Sequence, residues 1–153
     1  MIETNANLWD PRFEQSVRVI TTNGFVKKDG TCVMGRGCAR EARDKFPSLS
    51  IELGRKIKEE GNHVFYFPEY HLATFPTKHV WMQDSDLLLI RQSAHELVRL
   101  HVRFPIGTKF YLPRPGCGNG GLYWSDVKLV ISEILTTDDY IVVDYRQYGD
   151  YAL

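Results

Sequence analysis

Strand and helix signals alternate along most of this chain, which predicts a three-layer α/β/α sandwich with a mixed, largely parallel central sheet. Three observations carry that expectation. β-branched and aromatic runs recur, most clearly in Val17-Arg18-Val19-Ile20-Thr21-Thr22 and Tyr140-Ile141-Val142-Val143-Asp144-Tyr145. Between them lies a stretch whose apolar residues Leu87, Ile90, Ala94, Leu97 and Val98 keep helical spacing. Glycine loops then fall where strand signals give way to helix signals. With 153 residues and no internal repeat, low-complexity tract or linker, the chain is expected to form one domain over 1–153.

In chain order, residues 1–8 suggest a short edge strand, and Trp9-Asp10-Pro11 a surface segment where proline discourages further pairing. Residues 17–22 are a strand that runs into two turn signals, Asn23-Gly24 and Lys28-Asp29-Gly30. A glycine loop, Val33-Met34-Gly35-Arg36-Gly37-Cys38-Ala39, leads into a helix over 39–45. Ser48 or Ser50 caps the next helix, which Gly61 stops. Residues 63–67 and 72–75 read as strands, and residues 76–84 as a polar and aromatic loop holding Lys78, His79 and Trp81. Asp84 or Ser85 caps the longest helix, which runs to about residue 102 with Arg91, Glu96 and Arg99 on its outer side. Residues 109–112 form a strand, 124–135 a helix, 136–139 a turn and 140–145 a last strand.

Composition excludes several classes of function. Lysine plus arginine balances aspartate plus glutamate at 19 each, so the overall field offers no footprint for duplex nucleic acid or an anionic membrane. Cys32, Cys38 and Cys117 are odd in number and lack C-x-x-C spacing, which argues against a disulfide framework and a zinc site. A reducing cytoplasm is the simple inference. The longest purely aliphatic run, Leu87-Leu88-Leu89-Ile90, is too short to span a bilayer, and the N-terminus lacks a signal-peptide core. None of the five histidines shows metal-ligand spacing, so no metal or cofactor is expected.

The chemistry concentrates in Leu112-Pro113-Arg114-Pro115-Gly116-Cys117-Gly118-Asn119-Gly120-Gly121-Leu122, with four glycines in six residues between a strand and a helix. Backbone N–H groups in such a loop can approach an anion closely, and a tight turn is the plainer alternative. Gly116, Gly118 and Gly121 spell G-x-G-x-x-G, yet a dinucleotide fingerprint belongs on the first βαβ unit, and here only one helix and one strand follow. Neither glycine loop carries G-K-S/T, so a Walker-type triphosphate site is unsupported. Two glycine loops, each expected after a strand and before a helix, suit a diphosphate held between them.

In order and spacing, Asn23-Gly24, the loop from Val33 to Ala39 and the loop from Leu112 to Leu122 resemble the macro domain, an ADP-ribose-binding module. The resemblance extends over about residues 17–145. It is nearest in look to the branch holding the antitoxin that removes ADP-ribose from DNA and the enzyme that removes terminal ADP-ribose from acidic side chains. Phe75-Pro76-Thr77-Lys78, with Trp81 and Ser85, is similar to the antitoxin segment that bears a catalytic lysine. The resemblance implies that Lys78 is the catalytic residue and that Asn23 hydrogen-bonds the distal ribose. It also implies that Gly35, Arg36, Gly37 and Cys38 hold that ribose and one phosphate. Gly116, Cys117, Gly118, Asn119, Gly120, Gly121 and Leu122 would wrap the other side of the diphosphate. Tyr145 stands where the family puts an aromatic against adenine, or it simply caps the sheet. Asn7 stands in for the usual acid near adenine.

Gly120 departs from the pattern, because the acyl-ADP-ribose hydrolase pairs its lysine with an aspartate there. Lys78 would then act alone or with a substrate group, as nucleophile or by stabilising charge. The expected function is binding of ADP-ribose and hydrolysis of a linkage at its distal ribose. The substrate would be an ADP-ribosylated protein or DNA, including modified single-stranded DNA. A non-catalytic ADP-ribose reader and an ADP-ribose-1″-phosphate phosphatase are the alternatives. Cys117 near a helix N-terminus is a weaker nucleophile candidate, and His79 earns notice only by adjoining Lys78.

Overall fold

The computed structural model describes residues 1–145. Strands β1 (Ile2–Thr4), β2 (Val17–Asn23), β3 (Tyr66–Phe67), β4 (Leu72–Lys78), β5 (Phe110–Leu112) and β6 (Tyr140–Val143) form one six-stranded sheet in the order β1-β6-β5-β2-β4-β3. Neighbours are parallel except β3, which runs antiparallel to β4. Helices α1 (Gly37–Lys45) and α2 (Leu49–Glu60) cover one face, and α3 (Leu87–His101) and α4 (Trp124–Ile131) the other. The expected mixed, largely parallel sandwich is therefore the fold.

Strand alternation sorts the core into its two layers. Val17, Val19, Ala73, Phe110, Tyr140 and Val142 pack with Ile90, Ala94, Leu97, Val127 and Ile131 of α3 and α4. Ile20, Leu72, Ile141 and Val143 point the other way, to Ala42, Leu49 and Leu53 of α1 and α2. Strands buried on both faces explain the near-continuous apolar runs seen in the sequence. Arg18 uses its position to anchor the N-terminal segment, donating to the Leu8 carbonyl at 2.9 Å and the Asp10 carbonyl at 2.8 Å. Among the described residues no helix is long and apolar enough to cross a membrane.

Several expected boundaries move. The strand expected over 63–67 shrinks to Tyr66–Phe67 because side chains claim the preceding amides: Glu96 Oε1 accepts from Val64 N–H at 3.0 Å and Thr74 Oγ1 from Phe65 N–H at 2.9 Å. β4 instead continues through Pro76 to Lys78, which removes Lys78 from the loop assigned to it. Proline is tolerated because β3 pairs only with Leu72 and Ala73, leaving Pro76 partnered on the β2 side alone. α3 is capped by Asp86, whose carboxylate accepts from Leu88 N–H at 2.9 Å, rather than by Asp84 or Ser85. Ser48 occupies the N-cap of α2 without a side-chain capping bond, and Gly61 ends that helix as expected. α4 stops at Ile131 and turns through Leu135, the last strand ends at Val143, and the N-terminal strand covers only Ile2–Thr4. The first glycine loop does not follow a strand directly, since only an isolated bridge, Val26 to Cys32, lies between β2 and α1.

That bridge seats the first glycine loop by close contact with α2. Cys32 N–H donates to the Ser50 carbonyl at 2.9 Å, and a Cβ at Gly54 would run into the Gly30 carbonyl oxygen. Residues 27–32 thus lie flush on the helix and deliver residues 33–38 to the end of the sheet. Helix propensity alone favours alanine at residue 54 by about 1 kcal/mol. Overpacking against the turn should outweigh it, so urea unfolding of Gly54→Ala is expected to show a loss of about 1–3 kcal/mol. A stabilised variant would contradict this packing.

Candidate functional site

Parallel strands deliver their C-terminal ends to one edge of the sheet, and a cleft of about 1110 Å³ opens there. Thr21, Thr22 and Asn23 enter it from β2, Thr77 and Lys78 from β4, Pro113 and Arg114 after β5, and Val143, Asp144 and Tyr145 from the end of β6. Two glycine loops complete opposite walls, residues 33–39 before and into α1 and residues 116–120 before α4. Ala6, Asn7, Leu8 and Trp9 close one end, and residues 81–85 form a rim at the other.

Most candidate residues are brought together: Asn7, Asn23, Gly35, Arg36, Gly37, Cys38, Lys78, Gly116, Cys117, Gly118, Asn119, Gly120 and Tyr145 all line the cleft. Gly121 and Leu122 do not. Leu122 N–H turns back to the Gly116 carbonyl at 3.0 Å, and its side chain packs on the core beneath α3 and α4. Tyr145 is 56% exposed and borders the cleft.

The two loops face each other near Asn119, whose Nδ2 would lie 3.8 Å from a Cβ built at Gly37. Arg36 occupies the N-cap of α1 without a side-chain capping bond, which leaves the first N–H groups of that helix to other partners. In the facing loop, Gly118–Gly120 form a single 3-10 turn whose opening amides likewise have no intrahelical acceptor.

Lys78 stands across from them. Its Nζ donates to the Asn119 carbonyl at 3.2 Å and to the Trp81 carbonyl at 3.4 Å, so two of the three ammonium hydrogens are held by the walls. The Asn23 amide is engaged at both ends, Nδ2 donating to the Val33 carbonyl at 2.8 Å and Oδ1 accepting from Phe25 N–H at 2.9 Å. One donor and one acceptor remain on it. Asn7 Oδ1 accepts from Trp9 N–H at 2.9 Å, which fixes the turn at the far end.

Ser85 explains Gly120. A Cβ at residue 120 would collide with Ser85 Oγ, while Ser85 N–H donates to the Gly120 carbonyl at 2.9 Å. A side chain at that position would require the Ser85 hydroxyl to turn away and would still sit tightly against Ser85 Cβ. The rim carrying Ser85 is closed by His79 Nε2 and Asp86 Oδ2 at 2.8 Å, a hydrogen bond that holds the Asp86 carboxyl below the usual range. His79 therefore braces the rim instead of facing Lys78's substrate side. Among the described residues, the buried side-chain polar atoms with no hydrogen-bond partner are Trp9 Nε1, Ser85 Oγ and Arg114 Nε. All three belong to residues of the cleft wall.

Sequence reasoning missed Thr22, Met34, Thr77, Asp84 and Ser85 as wall residues. Met34 sits inside the first glycine loop, Thr77 adjoins Lys78 and Ser85 lies in the same segment, so a neighbouring motif was the available signal. The cysteines gain nothing as nucleophiles. Burial pushes the thiols of Cys38 and Cys117 up, and that of Cys32 up to about 12, so near neutral pH they stay protonated. Iodoacetamide at pH 7.5 should label Cys38 and Cys117 several-fold more slowly than an unstructured peptide thiol, read by mass spectrometry. Labelling of Cys117 at the peptide rate would contradict a buried, neutral thiol.

No protein-family model matches the chain. It is similar to a "DNA ADP-ribosyl glycohydrolase" of Thermus aquaticus, 31% identical over 143 residues, covering 84% of this chain and 36% of the relative. The chain thus spans about a third of the length of that relative. Its structure is similar to the macrodomain of Mycobacterium tuberculosis DarG, with a TM-score of 0.73 and 23% identity over 95% of this chain and 99% of the other. It is also similar to Thermosipho africanus DarTG in complex with ADP-ribose, with a TM-score of 0.70 and 22% identity over 94% of this chain and 42% of the other. The six-stranded sheet, its two helical layers and these likenesses together make the chain a macrodomain in fold, as the resemblance of its glycine loops implied.

Proposed function

We propose that this chain is a single macro-type domain that binds ADP-ribose in the cleft and hydrolyses the bond between its distal ribose and DNA. The observation that carries the reading is Lys78, which the end of β4 directs to the cleft wall, its amine against the second glycine loop through the Asn119 carbonyl. The likeness to a DNA ADP-ribosyl glycohydrolase favours DNA over protein as the carrier. The exposed Trp81 beside that lysine supports it too, because an aromatic face can stack on a base of a modified single strand.

In this reading the diphosphate sits between residues 35–38 and residues 116–120, and the N–H groups opening α1 and the 3-10 turn donate to its oxygens. Asn23 offers its remaining N–H and lone pair to the distal ribose, while Asn7 and Tyr145 border the adenine. Gly121 and Leu122 support the loop from behind. Water attacks the anomeric carbon as the bond to the base breaks, and the bonding electron pair leaves with the base. Lys78 hands that leaving group a proton and recovers one from the attacking water. An ammonium beside a diphosphate suits this role better than a neutral nucleophile. Residue 120 is glycine, so Lys78 acts without a carboxylate from that loop. The three free cysteines support a reducing cytoplasm as the setting.

Wild type and Lys78→Ala incubated with ADP-ribosylated single-stranded DNA, with ADP-ribosylated protein and with the 1″-phosphate separate the possibilities. Lys78→Ala is expected to lose about 10²–10⁴-fold in rate on the DNA substrate. Calorimetric affinity for ADP-ribose should fall much less than the rate, since the glycine-loop amides remain even though the Lys78–Asn119 bond is lost. Full activity of Lys78→Ala would end the lysine assignment. Binding without release from any of the three substrates would favour a reader, and release from the 1″-phosphate alone a phosphatase.

A further inference from the structure

Asn62 follows Gly61 at the end of α2 and lies outside the cleft wall, yet its side chain acts on Lys78. Its Nδ2 donates to the Lys78 carbonyl at 3.0 Å. Gly24 N–H, just beyond β2, approaches the same carbonyl at 3.2 Å and the His79 carbonyl at 3.1 Å. These donors matter because the regular ladder fails at this point. Thr22 pairs with Pro76 and Asn23 with Lys78, so the register slips across Thr77 and strand alternation no longer fixes how the next residue is aimed.

Close packing makes the Asn62 contact specific. A Cβ at Gly24 would lie 2.8 Å from both Asn62 Cγ and Asn62 Nδ2, so the amide rests on bare backbone to reach the carbonyl. The segment that carries it is anchored in turn. His63 Nδ1 meets Glu96 Oε1 at 3.1 Å, and Val64 N–H donates to the same carboxylate oxygen at 3.0 Å, which ties the residues after Asn62 to α3.

We propose that Asn62 is a positioning residue for Lys78: by holding the Lys78 carbonyl together with Gly24 N–H, it sets the direction in which the lysine side chain crosses to the Asn119 and Trp81 carbonyls. The proposal rests on Lys78 being the catalytic residue of the site. It requires that loss of the donor disturb the chemical step while the two glycine loops, to which Asn62 makes no hydrogen bond, stay as they are.

Asn62→Ala removes the amide, and Asn62→Asp keeps its shape while replacing the donor by an acceptor. On ADP-ribosylated single-stranded DNA both should lower kcat about tenfold or more, with KM and the calorimetric affinity for ADP-ribose within about twofold of wild type. Asn62→Ala added to Lys78→Ala should cost nothing further, because a positioning residue has no effect once its target is gone. Wild-type kcat in both single variants, or a full additional loss in the double variant, overturns the proposal. A second readout does not depend on hydrolysis: NMR relaxation of the Lys78 ε-carbon should show an ordered side chain in wild type and a loss of order in Asn62→Asp. Unchanged order overturns the positioning role even if no substrate is cleaved. If the wild type cleaves nothing, a loss of Lys78 order in Asn62→Asp still upholds Asn62 and removes only the hydrolase reading.

Discussion

The pairing of β2 with β4 is the constraint on which the rest of the molecule depends. These two parallel strands sit side by side in the sheet, face helices on both sides, and end together at Asn23 and Lys78. Their register is regular through the buried residues Ile20 and Thr74, then slips at Thr22 and Asn23. The regular part is held by burial on both faces, where each fully buried leucine or isoleucine contributes about 1.5–3 kcal/mol. The slipped part is buried too, but through the polar residues Thr22, Asn23 and Thr77, and it is held by particular hydrogen bonds. Functional geometry begins where ladder geometry stops.

Around that point the walls are tied to one another rather than to solvent. Lys78 links β4 to Asn119 in the second loop, and Ser85 links the rim to Gly120. The His79–Asp86 bond closes the rim on itself. Such cross-links let short glycine segments, which have little order of their own, keep one arrangement. They also crowd residue 120: a Cβ there would meet Ser85 Oγ, and with glycine at that position the loop offers Lys78 no carboxylate.

Much of this was legible in the residues. β2 and β6 announce themselves through β-branched runs, α3 through its apolar spacing, and both glycine loops through composition, so the sandwich and most of the cleft could be located without coordinates. What failed to show has a physical reason in each case. The strand expected from residue 63 is curtailed by Glu96 and Thr74, whose side chains take the amides of Val64 and Phe65 from positions far away in the chain. Lys78 reads as a loop lysine because Pro76 precedes it, and only the shortness of β3 makes proline acceptable there. Asn62 carries no motif at all, and Ser85 only its place in the segment after Lys78. Their importance comes from contacts with Gly120 and Gly24, and a contact across the fold leaves no local pattern.

The central claim is that the cleft holds ADP-ribose with its diphosphate between the two glycine loops and its distal ribose turned towards Lys78. A crystal structure of the chain with ADP-ribose tests it most directly. The account predicts phosphate oxygens at hydrogen-bond distance from the backbone of residues 35–38 and 116–120, and the Lys78 amine within about 4 Å of the anomeric carbon or its oxygen. A diphosphate bound away from both loops, or an anomeric carbon turned from Lys78 by more than about 6 Å, would contradict it.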